Sequence, residues 1–221
     1  MRSRHILQRL HVWLAWVAGV PLLFWTLSGL WMVARPIDEV RGTGLRAPLA
    51  PLVAPAALRT PPGSLKALAL ERQGDRLVWI AVRPDGASFR ADPVSGRGLA
   101  PVAEPEARLL AAAALAKPTA IERVTRSTAE QPPLDLRRAR PAWGVMFAGG
   151  DRVYLDADTG QVLALRTEQW RAFDWMWGLH IMDLSSRENS SHPVLIGFAA
   201  LALLATILGL VLLPLSSRRR R

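Results

Sequence analysis

Apolar residues are gathered at the two ends of this chain. Residues 12–34, VWLAWVAGVPLLFWTLSGLWMVA, carry no charge, and neither do residues 193–214. At about 1.5 Å per helical residue the two stretches reach about 33 to 35 Å, enough to cross a hydrocarbon core of about 30 Å. The pattern therefore predicts transmembrane helices at 12–34 and 193–214, with short tails at 1–11 and 215–221. A cleaved leader is the competing reading of the first stretch. Its apolar run is too long for a signal peptide, and Val33-Ala34-Arg35-Pro36 is a poor cleavage site.

The intervening segment is patterned differently. A linker over 35–62, proline-rich from Pro48, leads into an internal repeat at an offset of 64 residues. Trp79 aligns with Trp143, Gly86 with Gly150, Asp92 with Asp156, Ser95 with Thr159 and Gly96 with Gly160. In each copy one apolar run (LVWIAV; AWGVMF) leads to a glycine turn. A second run (ASFRAD; RVYLDA), a D-x-x-[ST]-G turn and a short third run follow, which predicts a β-meander. The aspartate and hydroxyl of each turn can take nearby backbone N–H groups, and the glycine can adopt positive φ. The spacing of a calcium loop is absent, so these acids predict a turn and no metal site. Between the meanders, Glu104–Ala116 (EPEARLLAAAALA) predicts a helix. The copies divide as 63–103 and 104–167. Residues 168–188, with the run FDWMWGLHIMDL, are too short to span and predict an interfacial amphipathic helix.

Charge refines this layout. The net charge of +10 is concentrated in the tails, where Arg2, Arg4 and Arg9 precede the first span and Arg218–Arg221 follow the second. Topology accounts for that excess and nucleic acid is not expected. The positive-inside bias places both termini in the cytoplasm and 36–192 across an inner (cytoplasmic) membrane, giving a periplasmic domain. With no cysteine, disulfides and thiolate metal sites are excluded. Seven of nine tryptophans lie in or beside the apolar segments, as interfacial rings do.

The stretch from the 104–116 helix through AIERV to PAWGVMFAGGDRVYLDADTGQVLA resembles a PepSY domain, in which a helix packs on an antiparallel sheet. The wider layout resembles the PepSY-associated transmembrane family: an opening L-H-x-W with a later S-G (Leu10, His11, Trp13, Ser28, Gly29), and FDWMWGLHIMDL before the last span. The expected fold is thus α+β, two transmembrane helices flanking an extracytoplasmic PepSY-like domain of antiparallel meanders with a packed helix. Longer relatives have four spans and resemble haem-bearing ferric-siderophore reductases. The resemblance implies a membrane component of electron transfer or iron assimilation with haem b as its cofactor. It equally fits a tethered, non-catalytic module that restrains an extracytoplasmic peptidase.

Candidate chemistry rests on histidines. His11 sits at the mouth of the first span, His180 in the interfacial run and His192 beside Pro193 at the entry to the second span. All three are candidate haem ligands, since histidine is the common axial ligand and ionisable groups at membrane edges are functional candidates. Asp183, three residues beyond His180, is expected to orient its imidazole from one helical face. His11 and His180, at opposite ends of a span, cannot hold one iron. A haem would then sit between the His11 residues of a homodimer, between His180 and His192, or between one of these and a membrane partner subunit; the lipid bilayer is the remaining expected partner. His5 reads as plain surface. No nucleophile–base set, P-loop or dinucleotide fingerprint is present, so no self-contained catalytic site is expected.

Overall fold

The computed structural model describes residues 2–48, 51 and 53–217. The expected basic tail Arg218–Arg221 lies outside the described residues, as do Leu49, Ala50 and Leu52 of the expected linker. In chain order the elements are α1 (Arg2–Val33), α2 (Ile37–Val40), a 3-10 turn at Thr43–Leu45, β1 (Ala67–Gln73), β2 (Arg76–Val82), β3 (Ser88–Ala91), α3 (Glu104–Ala113), β4 (Ile121–Ser127), β5 (Ala142–Phe147), β6 (Arg152–Asp156), β7 (Val162–Arg166), α4 (Glu168–His180) and α5 (Pro193–Ser217). They divide into a helical unit, Met1–Pro36 with Ala172–Arg221, and an α+β unit, Ile37–Arg171.

In the helical unit, α1 and α5 pack along each other. The less exposed positions of α1 include His11, Leu14, Ala18, Pro21, Ser28 and Met32, and those of α5 include Leu195, Phe198, Ala202, Ala205 and Gly209. The α5 set advances in steps of three and four residues and the α1 set in steps of three, four or seven, the spacing that keeps one seam facing a neighbouring helix. The outward faces, with Trp13, Trp16, Leu30, Leu203 and Leu210, are exposed and apolar. That surface suits lipid, where a helix satisfies its own backbone and needs no water. The apolar stretches are His5–Val33 and Pro193–Leu213. Helix α1 starts ten residues before the predicted span, so the amino-terminal tail is helical too.

The α+β unit holds two antiparallel sheets, one ordered β1-β2-β3 and one β4-β5-β6-β7. Helix α3 lays Ala107, Leu110 and Ala111 on one face of the larger sheet, against Val145, Phe147, Val153 and Leu155. The opposite face buries Ala142, Tyr154 and Ala164 under Leu136. At register pair Gly144–Tyr154 a Cβ on Gly144 would lie 2.9 Å from the tyrosine ring, which is why glycine stands there.

The 64-residue repeat reappears atom for atom. The Oδ1 of Asp92 accepts from the N–H groups of Val94 and Ser95, and the Oδ1 of Asp156 from those of Asp158 and Thr159. Gly96 and Gly160 close the two turns at φ 72° and 75°. Arg59 N–H donates to the Pro93 carbonyl and the Trp79 indole donates back to the Arg59 carbonyl, at 2.8 and 2.9 Å. In the second copy Val102 N–H donates to the Ala157 carbonyl and the Trp143 indole to the Val102 carbonyl, both at 2.8 Å. The tryptophans thus staple each meander to the strand of chain that precedes it. Only 43 residues separate Arg59 from Val102, so the second copy carries 21 more residues before its tryptophan, room for α3. The third run of the first copy shrinks to a single bridge, Ala91–Gly98.

Ion pairs and amides join the copies. Arg90 is 3% exposed and donates through both terminal nitrogens to the Glu106 carboxylate, each at 2.6 Å. Gln73 donates to the Thr159 carbonyl and Gln161 to Glu71. The hydrogen bond from Arg90 holds the Glu106 carboxyl below its ordinary range, more than offsetting burial.

The segment 37–47 is not a bare linker. Val40 is buried, Ala47 N–H donates to the Ala114 carbonyl and Ala116 N–H to that of Leu45. Residues 37–171, expressed alone, should fold cooperatively, whereas 58–166 should melt lower, because it lacks Val40 and this cover over the end of α3; circular-dichroism melts compare the two. Breaking the Arg90–Glu106 pair with Arg90→Ala should cost about 2 kcal/mol, below the range for fully buried pairs because Glu106 is partly open. The glutamate's lowered pKa makes its contribution fully present above the ordinary glutamate range and lost as pH falls through the lowered value. Chemical denaturation at pH 7 and pH 3 should therefore show a smaller acid penalty in Arg90→Ala than in the parent.

Candidate functional site

Helix α4 ends at His180. Beyond it Met182 takes φ 56°, its N–H donating to the Leu179 carbonyl, and the Asp183 N–H donates to the Gly178 carbonyl. This pair of bonds is the reversal that closes many helices, with methionine in the left-handed position where glycine is usual. The predicted helix over 168–188 is thus helical only to His180. The chain turns back on itself, and the one-face geometry expected of His180 and Asp183 does not exist.

The Asp183 carboxylate instead gathers the loop after it. It accepts from the N–H groups of Ser185, Ser186, Glu188 and Asn189 and from the hydroxyls of Ser185 and Ser186. These donors, the Ser186 hydroxyl first, hold its pKa well below the usual carboxylate range.

His180 turns its ring onto α1. The imidazole stacks on Trp25, centroids 4.6 Å apart at 19°, with Trp177 at 6.5 Å. A Cβ on Gly29 would stand 3.0 Å from His180 Cε1, so only glycine admits the ring this close. Nδ1 lies 3.1 Å from the Trp25 carbonyl and 3.2 Å from Ser28 Oγ, while the Ser28 hydroxyl itself donates to the Trp25 carbonyl at 2.9 Å. A carbonyl can only accept, so this network assigns the proton of neutral His180 to Nδ1. Nε2 has no hydrogen-bond partner among the described residues and keeps its lone pair. That is the arrangement of a metal-ligating histidine, one nitrogen tied to a carbonyl and the other presented.

The residues meeting here, Trp25, Ser28, Gly29, Trp177 and His180, come from the two ends of the sequence. The profile of the PepSY-associated TM region matches residues 8–221. The chain belongs to that family. It is therefore a membrane protein, with α1 and α5 in contact with the bilayer. No curated protein and no solved structure matches the chain.

The other two histidines of this PepSY-associated protein stand elsewhere. The His11 ring lies against α5, where a Cβ on Gly209 would be 3.0 Å from Cε1, and its Nδ1 is buried without a partner. His11 also lines an apolar groove of about 450 Å³ along α1, with Ala15 and Gly19. Some 17 residues of helix separate His11 from Ser28, about 25 Å, so His11 and His180 stay apart as expected. His192 accepts the Val194 N–H on Nδ1 at 3.3 Å, capping α5 and leaving its proton on Nε2. Among the described residues no group of three or more His, Asp or Glu side chains converges as a metal cluster.

Sequence reasoning missed Asp174 and Arg187. The Asp174 carboxylate is 3% exposed in the middle of an apolar helix, and Arg187 reaches it at 2.7 Å. An acid set directly between Phe173 and Trp175 was the available signal, since a buried charge demands a partner.

Long-range ¹H–¹⁵N spectra of histidine-labelled protein in micelles should give His180 the Nδ1–H pattern and His192 the Nε2–H pattern. Gly29→Val should abolish the His180 pattern by putting side-chain atoms where the ring lies.

Proposed function

We propose that this protein is an accessory component of membrane electron transfer serving ferric-siderophore iron assimilation, and that it binds haem b through His180. The observation that carries this reading is the unpartnered Nε2 of His180, on a ring whose other nitrogen is tied to the Trp25 carbonyl and whose face is fixed by Trp25 and Gly29. Haem, when bound, supplies one-electron chemistry. The chain's own contribution is to orient one imidazole and to keep its donor nitrogen unprotonated. The residues fit one axial ligand per chain. His11 lies about 25 Å away along α1 and the Nδ1 of His192 is engaged in capping, so the second ligand comes from another copy of the chain or from a partner subunit.

The arginines at both termini favour an inner-membrane protein with cytoplasmic ends and the unit Ile37–Arg171 in the periplasm, where it would meet a ferric chelate or a redox partner. A reporter active only in the cytoplasm should work after Arg221 and fail at Gly86.

Full-length protein purified from haem-replete cells should carry a Soret band and a reducible α band. His180→Ala and His180→Tyr should lose most of it while still inserting, His192→Ala should keep it, and Ser28→Ala should weaken haem affinity by about 10-fold, as loss of an orienting partner does. A wild-type protein without the band would leave the tethered binding module, acting on an extracytoplasmic peptidase or another partner, as the better reading.

A further inference from the structure

We propose that Arg187 and Asp174 are positioning residues, a clamp that fixes the last turn of α4 and thereby holds His180 on α1 with Nε2 outward. The purpose assigned to the clamp rests on reading His180 as a ligand; its existence is argued from the helical unit alone. Arg187 Nη1 donates to Asp174 Oδ2 at 2.7 Å, with the two side chains 12% and 4% exposed. At that depth each charge offsets part of the other's cost of leaving water. To reach Asp174 the arginine passes directly over Gly178: a Cβ there would lie 2.9 Å from Arg187 Cγ and 3.2 Å from its Cδ. The guanidinium rests on Trp175 at 4.7 Å, and the Arg187 carbonyl accepts the Trp177 indole N–H at 3.1 Å. Arg187 therefore grips about one and a half turns of α4, at Asp174, Trp175, Trp177 and Gly178, immediately before His180.

The loop that carries Arg187 is wound to deliver it. Asp183 collects four backbone N–H groups between Ser185 and Asn189, and both Met182 and Arg187 sit in the left-handed region, φ 56° each. Two non-glycine residues in that region within six positions persist only where surrounding bonds over-determine them. The aspartate three residues from His180 thus acts on it through the loop and the clamp. A direct hydrogen bond to the imidazole is absent from this arrangement.

The test is the histidine ¹H–¹⁵N spectrum of full-length, cofactor-free protein in micelles, a readout that general destabilisation of the α+β unit does not move. Wild type should show His180 as Nδ1–H. Arg187→Ala should lose that pattern for the Nε2–H-dominated mixture of a free imidazole, and Arg187→Lys, which keeps the charge and the stem over Gly178, should restore it. Gly178→Val leaves both charges in place but occupies the arginine's path, and should lose the pattern as Arg187→Ala does. Arg123→Ala, on β4 of the other unit, should change nothing. If Arg187→Ala unfolds the helices, Gly178→Val decides by the same spectrum. Retention of Nδ1–H in Gly178→Val with Arg187 displaced, or its absence in wild type, would overturn the clamp. A wild-type protein that gives the expected pattern but never carries a Soret band would overturn the haem reading and leave the clamp standing.

Discussion

The hydrogen bond from His180 Nδ1–H to the Trp25 carbonyl joins the two ends of the chain. It exists because α4 stops at His180 and because α1 offers a residue without a side chain, Gly29, at the place where the ring must lie. The proton is fixed on one nitrogen by an acceptor that cannot donate, and the other nitrogen is thereby defined as a lone pair. The chemistry proposed for this protein follows from that assignment, and so does the need for a rigid turn behind the histidine. A loose imidazole would sample both tautomers, and only one of them offers Nε2 to a metal.

The α+β unit is organised by a different constraint. Each D-x-x-[ST]-G turn satisfies its own backbone, and each tryptophan bridges its meander to the preceding chain through a single indole N–H. Duplication of this device gives the two meanders the same turn and tryptophan bonds, on sheets of three and four strands. The difference between the copies is concentrated in the 21 extra residues of the second, which hold α3 and give the larger sheet a packed core on that face. The first copy has no such helix. It shares charges and amides with the second instead, through Arg90–Glu106, Gln73–Thr159 and Glu71–Gln161.

Much of this was legible in the sequence. Two apolar stretches, the 64-residue repeat and the turns at Asp92 and Asp156 are properties of local spacing, and local spacing survives folding. The separation of His11 from His180 was legible for the same reason, since a helix is a ruler. The partners of His180 were not. Ser28 and Gly29 stood in a recognisable pattern, but only the packing of α4 on α1 reveals that the glycine is a seat for an imidazole. Asp183 was misread because helical spacing was carried past the true end of α4; once Met182 enters the left-handed region, the next carboxylate faces the loop. Likewise Ile37–Ala47 read as linker because its contacts with the end of α3 span some seventy residues.

The central claim is that Nε2 of His180, at the end of α4 and seated on α1, is a metal-ligating nitrogen. Electron–nuclear double resonance on the ferric, ¹⁵N-histidine-labelled protein addresses it directly, because a coordinated imidazole nitrogen couples to the unpaired electron and a merely neighbouring one does not. The account predicts a strong ¹⁵N-histidine coupling that disappears in His180→Ala and persists in His192→Ala. An unchanged coupling in His180→Ala would contradict it.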